Sequence, residues 1–131
     1  MAWFARTSPD AGARVRLICL PYAGGTAAVY RDWAGALGTG VEVLPVQLPG
    51  RGWRLRETPS VDLKALAAGI AEAVEPLAEV PVAVFGHSMG AWLGFELVTQ
   101  LEARGIRPVQ LFASGRQAPW MGCEHEPLSV L

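Results

Sequence analysis

Pro81-Val82-Ala83-Val84-Phe85-Gly86-His87-Ser88-Met89-Gly90 is the stretch on which the reading of this chain turns. Residues 81–85 are a short apolar run that reads as a buried strand. Gly86 to Gly90 has the spacing G-x-S-x-G, and Met89 to Arg104 reads as a helix. A serine pinched between such a strand and such a helix sits on a turn so tight that Gly86 and Gly90 must stand where side chains would collide. The Ser88 hydroxyl is then pushed out above the sheet edge as a nucleophile. The other reading, in which the glycines merely allow close helix–strand packing and Ser88 is a buried cap, is disfavoured by the strand-to-helix placement.

The rest of the chain supplies a frame for that turn. Arg14–Leu20, Val41–Gln47 and Pro108–Ser114 read as three further strands. Pro45 marks the second as bulged or as an edge. A helix is expected over Ala27–Leu37, with Thr26 as N-cap and Gly38 just past its end. Ser60 is expected to cap another, in which Leu63, Leu66, Ile70, Val74 and Leu77 form one apolar stripe that Pro76 ends or kinks. Gly105 closes the helix after the turn. Residues 1–13 read as a loose leader with Trp3 and Phe4 as an anchor, and 115–131 as irregular. Strands alternating with helices, each strand mostly apolar, predict an α/β fold: a doubly wound, mostly parallel sheet of about four strands with flanking helices.

Composition narrows the function classes. The chain has 131 residues, 51% hydrophobic and 18% charged, which suits one globular domain with a real core. The formal net charge is −1, and no Lys/Arg run is present, so no nucleic-acid partner is expected. Ten of the eleven basic residues are Arg and the other is Lys64, a compositional bias rather than a function. Cys19 lies in a strand-like run and reads as a buried, inert thiol. It has no metal-type spacing to Cys123, and no disulfide framework is indicated. The start, Met1 to Arg6, lacks a signal-peptide pattern. The longest uncharged run, Val80 to Phe95, holds Pro81, Gly86, His87 and Gly90 and is shorter than the ~20 apolar residues of a membrane span. A cytoplasmic protein with no membrane partner is expected.

Attack by Ser88 on an acyl carbon creates an oxyanion that needs donors fixed in advance. The backbone N–H of Met89, first in its helix, is one candidate. The Gly-rich loop Pro21-Tyr22-Ala23-Gly24-Gly25 is placed to give another, and the Ala23 N–H is the expected donor. The loop has neither the G-x-G-x-x-G pattern nor a Lys-Ser/Thr partner, so it is not a common phosphate cradle. A serine hydroxyl also needs a base. The chain offers two histidines. His87 is adjacent to Ser88, where side chains diverge, and reads as a packing or turn-stabilising residue. His125, in Cys123-Glu124-His125-Glu126, comes only one strand after the turn and reads as a surface-loop residue; adjacent donors without a distant partner make a weak metal site. The nucleophile half of a site is here, and the acid–base half is not.

At this point the chain resembles a family. Cys19-Leu20-Pro21-Tyr22-Ala23-Gly24-Gly25, Val46-Gln47-Leu48-Pro49-Gly50-Arg51, Phe85-Gly86-His87-Ser88-Met89-Gly90-Ala91, Phe95-Glu96 and Ser114-Gly115-Arg116 with Ala118-Pro119, together with Trp3-Phe4, look like the N-terminal portion of a type II thioesterase. These are the stand-alone α/β-hydrolases that accompany polyketide and non-ribosomal peptide synthetases. The resemblance implies an incomplete α/β-hydrolase fold, Ser88 as nucleophile, and Ala23 and Met89 N–H as oxyanion hole. It implies as substrate an acyl thioester on the phosphopantetheine arm of an acyl- or peptidyl-carrier protein, removed in an editing role, with no cofactor of the enzyme's own. It also implies that the catalytic Asp and His lie past residue 131 and that a lid begins within 115–131. Gly52 departs from the family, which usually has Glu after Pro-Gly-Arg. Two other readings stand beside this one. The 131-residue chain is a catalytically incomplete remnant or carrier-binding module, prone to self-associate at the edge of its fourth strand, or the activity is that of a general carboxylesterase.

Overall fold

Strand β1, Val15–Leu20, is the centre of the molecule, and every residue from Arg16 to Leu20 is buried. The structure is a computed structural model that describes residues 3–4, 10–22, 25–54, 56–58 and 62–115. After β1 come a 3-10 turn (Ala27–Tyr30), helix α1 (Trp33–Leu37), β2 (Val41–Pro45) and a second 3-10 turn (Gly52–Arg54). Then follow α2 (Leu63–Val74), β3 (Val82–His87), α3 (Met89–Ala103) and β4 (Gln110–Ser114). The four strands form one parallel sheet in the order β2-β1-β3-β4. A parallel sheet of four strands with flanking helices is the α/β architecture expected.

Because side chains alternate across a strand, the apolar strands bury both faces. On one face Ile18, Leu20, Leu44, Val82 and Val84 pack against Leu66, Ile70 and Val74 of α2 and Leu93, Leu97 and Leu101 of α3. On the other, Leu17, Cys19 and Ala83 meet Tyr30, Trp33 and Phe85. Those three rings stack edge to face, 4.7–6.0 Å between centroids, and the Tyr30 hydroxyl donates to the Leu20 carbonyl.

Several local expectations change. The helix expected over 27–37 divides into the 3-10 turn and α1. Its apolar anchors Ala27, Tyr30 and Trp33 recur every third residue, the 3-10 period, and beyond Trp33 the residues of α1, Ala34–Leu37, are all exposed and would not hold a longer helix. Thr26 does cap, its hydroxyl accepting from Ala28 N at 3.3 Å. Ser60 lies outside the described residues. The cap of α2 is Asp62, whose Oδ1 accepts from Lys64 N and Ala65 N, each at 3.1 Å. Strand β2 stops at Pro45, which has no N–H to continue a ladder, and β2 forms one edge of the sheet. Beyond it Val46 bridges antiparallel to Phe4, and Gln47 N donates to Trp3 O at 2.9 Å, so Trp3 and Phe4 fold back onto the domain.

At the N-terminal rim of the sheet a buried ion pair replaces apolar packing. Arg16 Nε donates to Glu42 Oε1 at 2.7 Å, and its Nη1 reaches Leu77 O at 2.7 Å and the Glu79 carboxylate. Asp10 N donates to Glu42 Oε2 at 3.0 Å. Beside it, Asp10, Gly38, Gly40 and Glu42 line a cleft of about 560 Å³.

Candidate active site

In an open parallel sheet, the chain leaves a crevice at the carboxyl ends of two neighbouring strands whose connections run to opposite sides. Here those strands are β1 and β3: from β1 the chain moves outward to β2, then returns across β1 to β3. The Gly-rich loop follows β1 and the G-x-S-x-G turn ends β3, so topology alone brings them together.

The turn has the geometry of a nucleophile elbow. Ser88 has φ 58° and ψ −120°, and it is the one non-glycine residue with positive φ among those described. It stands at the N-cap position of α3, yet its side chain makes no capping hydrogen bond. The buried-cap reading of Ser88 therefore fails, and the hydroxyl is not spent on the helix. A β-carbon on Gly86 would lie 2.0 Å from Gly90 O, and one on Gly90 would lie 2.7 Å from both Leu20 O and Pro21 O. Both positions exclude any side chain because backbone crosses backbone there, and the second contact presses the start of α3 against the end of β1 and its loop.

Met89 is the first residue of α3, and its N–H has no carbonyl one turn back within the helix to pair with. With the helix dipole behind it, this amide suits a negative oxygen. Ala23 and Gly24 lie outside the described residues, as do His125, Cys123 and all of 116–131. On either side of Ala23, Pro21 is buried, Tyr22 is 42% exposed, and Gly25 N closes the turn on Tyr22 O at 2.9 Å.

Three supports were not legible as such. Ser88 N donates to Ser114 O at 2.8 Å, so the end of β4 grips the elbow. Gly115, at φ 70°, turns beneath the His87 ring. Buried Gln47 accepts from Ala27 N at 3.1 Å and ties the segment after β2 to the far end of the Gly-rich loop. The sequence carried these only as shared motif residues, with no sign of what they touch. Gly52, which departs from the family, has φ 52°, and a β-carbon there would lie 2.3 Å from Gln47 Oε1. Arg54 closes the same loop: buried, it donates to Gln47 O at 3.1 Å, stacks 4.2 Å over the Trp3 ring and pairs with both Glu57 oxygens. That hydrogen bonding holds the Glu57 carboxyl below the ordinary carboxylate range.

His87 is the one histidine among the described residues. It is exposed, its Nδ1 lies 3.4 Å from Ser114 Oγ, and its ring meets Tyr22 edge-on at 6.1 Å. No general base for Ser88 is found among the described residues. Among them, too, no helix is long and apolar enough to cross a membrane.

A family model described as "Thioesterase domain" matches residues 15–128. The chain is 38% identical over 130 residues to the gramicidin S biosynthesis protein GrsT of Aneurinibacillus migulanus, covering 98% of this chain and 51% of that protein. It is 43% identical over 119 residues to the thioesterase PikA5 of Streptomyces venezuelae, covering 89% and 42%. Among solved structures, the type II thioesterase BorB from the borrelidin biosynthetic cluster superposes with a TM-score of 0.84 at 40% identity, over 95% of this chain and 51% of that one. The chain spans about half the length of the curated relatives it matches.

Proposed function

This chain belongs to the thioesterase domain family, and from that premise we propose that the protein hydrolyses acyl thioesters on the phosphopantetheine arm of carrier proteins in polyketide or non-ribosomal peptide synthesis, as an editing serine hydrolase. The observation that carries the reading is Ser88 at φ 58°, held at the β3–α3 junction with its hydroxyl uncommitted. Ser88 Oγ attacks the thioester carbonyl and the resulting oxyanion takes hydrogen bonds from the Met89 N–H and, on this reading, the Ala23 N–H. The carbon–sulfur bond breaks, the pantetheine thiolate leaves with a proton, and water then cleaves the acyl-serine to release the acid and restore Ser88. On this reading the base that takes the serine proton and the carboxylate that orients it lie past residue 131. The arm and its acyl group arrive with the carrier protein, so the reaction needs no further cofactor.

In the full product of the gene, Ser88→Ala is expected to lower kcat on an acyl-loaded carrier protein by about 10³-fold or more. Equal turnover by the two proteins, followed by release of free acid, would sink the assignment. Turnover of oxyesters matching that of thioesters would favour the carboxylesterase reading.

A second reading concerns the 131 residues alone. Val109, 60% exposed, and Phe112, 38% exposed, lie on and beside β4 at one edge of the sheet, and no base accompanies Ser88 among the described residues. On this reading the isolated chain turns over little thioester and self-associates through β4. A monomer in sedimentation with brisk turnover would contradict it.

A further inference from the structure

Ser88 is held at φ 58°, a backbone conformation that is strained for a residue with a side chain, so something beyond the turn must keep it there. The hydrogen bond that does so over the longest sequence distance is Ser88 N to Ser114 O, 2.8 Å. Its strength depends on where the Ser114 carbonyl points, and that is set by the bend from Ser114 into Gly115 at φ 70°. The His87 imidazole lies against this bend. A β-carbon on Gly115 would come 2.4 Å from His87 Cε1 and 2.8 Å from Nδ1. Nδ1 is 3.4 Å from Ser114 Oγ, and His87 is the ladder partner of Ser114. The ring also meets Tyr22, on the loop after β1, edge to face at 6.1 Å.

This side chain is exposed in the 131-residue chain. Its contacts lie at the carboxyl ends of the two strands that flank β3: Tyr22 on the loop after β1, and Ser114 with Gly115 at the end of β4. We infer that His87 is a positioning residue. Its ring is a wedge between the Tyr22 loop and the Ser114–Gly115 bend, and it fixes the carbonyl that holds the Ser88 amide and the spacing between nucleophile and Gly-rich loop. The wedge acts chiefly by shape, because a 3.4 Å contact to a hydroxyl is a weak hydrogen bond. The consequence for turnover rests on the acyl-transfer reading given above; the consequence for the backbone does not.

The test compares His87→Ala, His87→Phe and His87→Asn in the full product of the gene, with two readouts. The first is hydrogen exchange at the Ser88 amide; the second is kcat and KM on an acyl-loaded carrier protein. His87→Ala is expected to speed exchange at Ser88 by about 10-fold or more while strand amides such as Val84 are unchanged, as in a local opening. It is expected to lower kcat by about 10- to 100-fold with KM within about twofold, the cost of a slightly misplaced nucleophile. His87→Phe keeps the wedge and restores most of both losses; His87→Asn keeps a polar atom near Ser114 and restores little. Unchanged Ser88 exchange in His87→Ala would overturn the inference. So would rescue by Asn but not by Phe, which would make the ring nitrogen the active part. If wild-type protein turns over no thioester, the proposed function falls, and the exchange measurement still decides whether His87 positions Ser88.

Discussion

At the scale of single residues, the elbow sets stability against chemistry at one position. Ser88 needs φ 58° to project its hydroxyl, and only glycine takes that backbone freely. Ser88→Gly is therefore expected to stabilise the protein by about 1 kcal/mol relative to Ser88→Ala, which keeps the β-carbon and its strain. Both variants lack the hydroxyl, so thermal unfolding of the pair isolates the backbone contribution; equal melting temperatures would mean that Ser88 sits without strain. Gly86 and Gly90 admit no such trade, because backbone atoms at 2.0 and 2.7 Å occupy the places where their side chains would go.

At the scale of elements, what is fixed by near neighbours in sequence is legible there, and what is fixed by distant contacts is not. The apolar run ending at Phe85, the G-x-S-x-G turn and the helix to residue 103 are contiguous in sequence, and the α2 stripe repeats every three or four residues; both were legible because each is fixed by its own neighbours. The cap of α2 is Asp62, two residues after the Ser60 expected from sequence; serine and aspartate are both good caps, and only geometry chooses between them. Asp62→Ala is expected to cost about 1 kcal/mol, measured by urea unfolding, and an unchanged midpoint would mean that this cap contributes nothing. The division of 27–37 escaped the helical pattern because the faces of Tyr30 and Trp33 are set by Phe85, more than fifty residues away. The grip of β4 on the elbow escaped for the same reason: Ser88 and Ser114 are strangers in sequence, and only the parallel pairing of β3 with β4 brings them within 2.8 Å.

At the scale of the molecule, the sheet has two ends with different contents. Ser88, the Gly-rich loop and the Gln47 and Ser114 supports gather at the carboxyl ends of the strands, while the Arg16–Glu42 pair occupies the other rim. Between them Cys19, fully buried, has its thiol pushed up to about 12 by burial. An acid whose folded pKa is raised keeps its full contribution below its unfolded value, 9.0, and loses it as pH rises from there toward the folded value. Unfolding free energy is thus expected to fall on the alkaline side of pH 9, and Cys19→Ala to flatten that decline even if it lowers stability at pH 7. Parallel slopes for the two proteins between pH 8 and about 11, measured by urea unfolding under reducing conditions, would show that Cys19 is not responsible. The separation of the two rims has a practical consequence as well. A dye or a solid support joined at Thr39, exposed just before β2, would leave the crevice above Ser88 facing outward, so that an immobilised film of this protein would present that rim to the solution rather than to the glass.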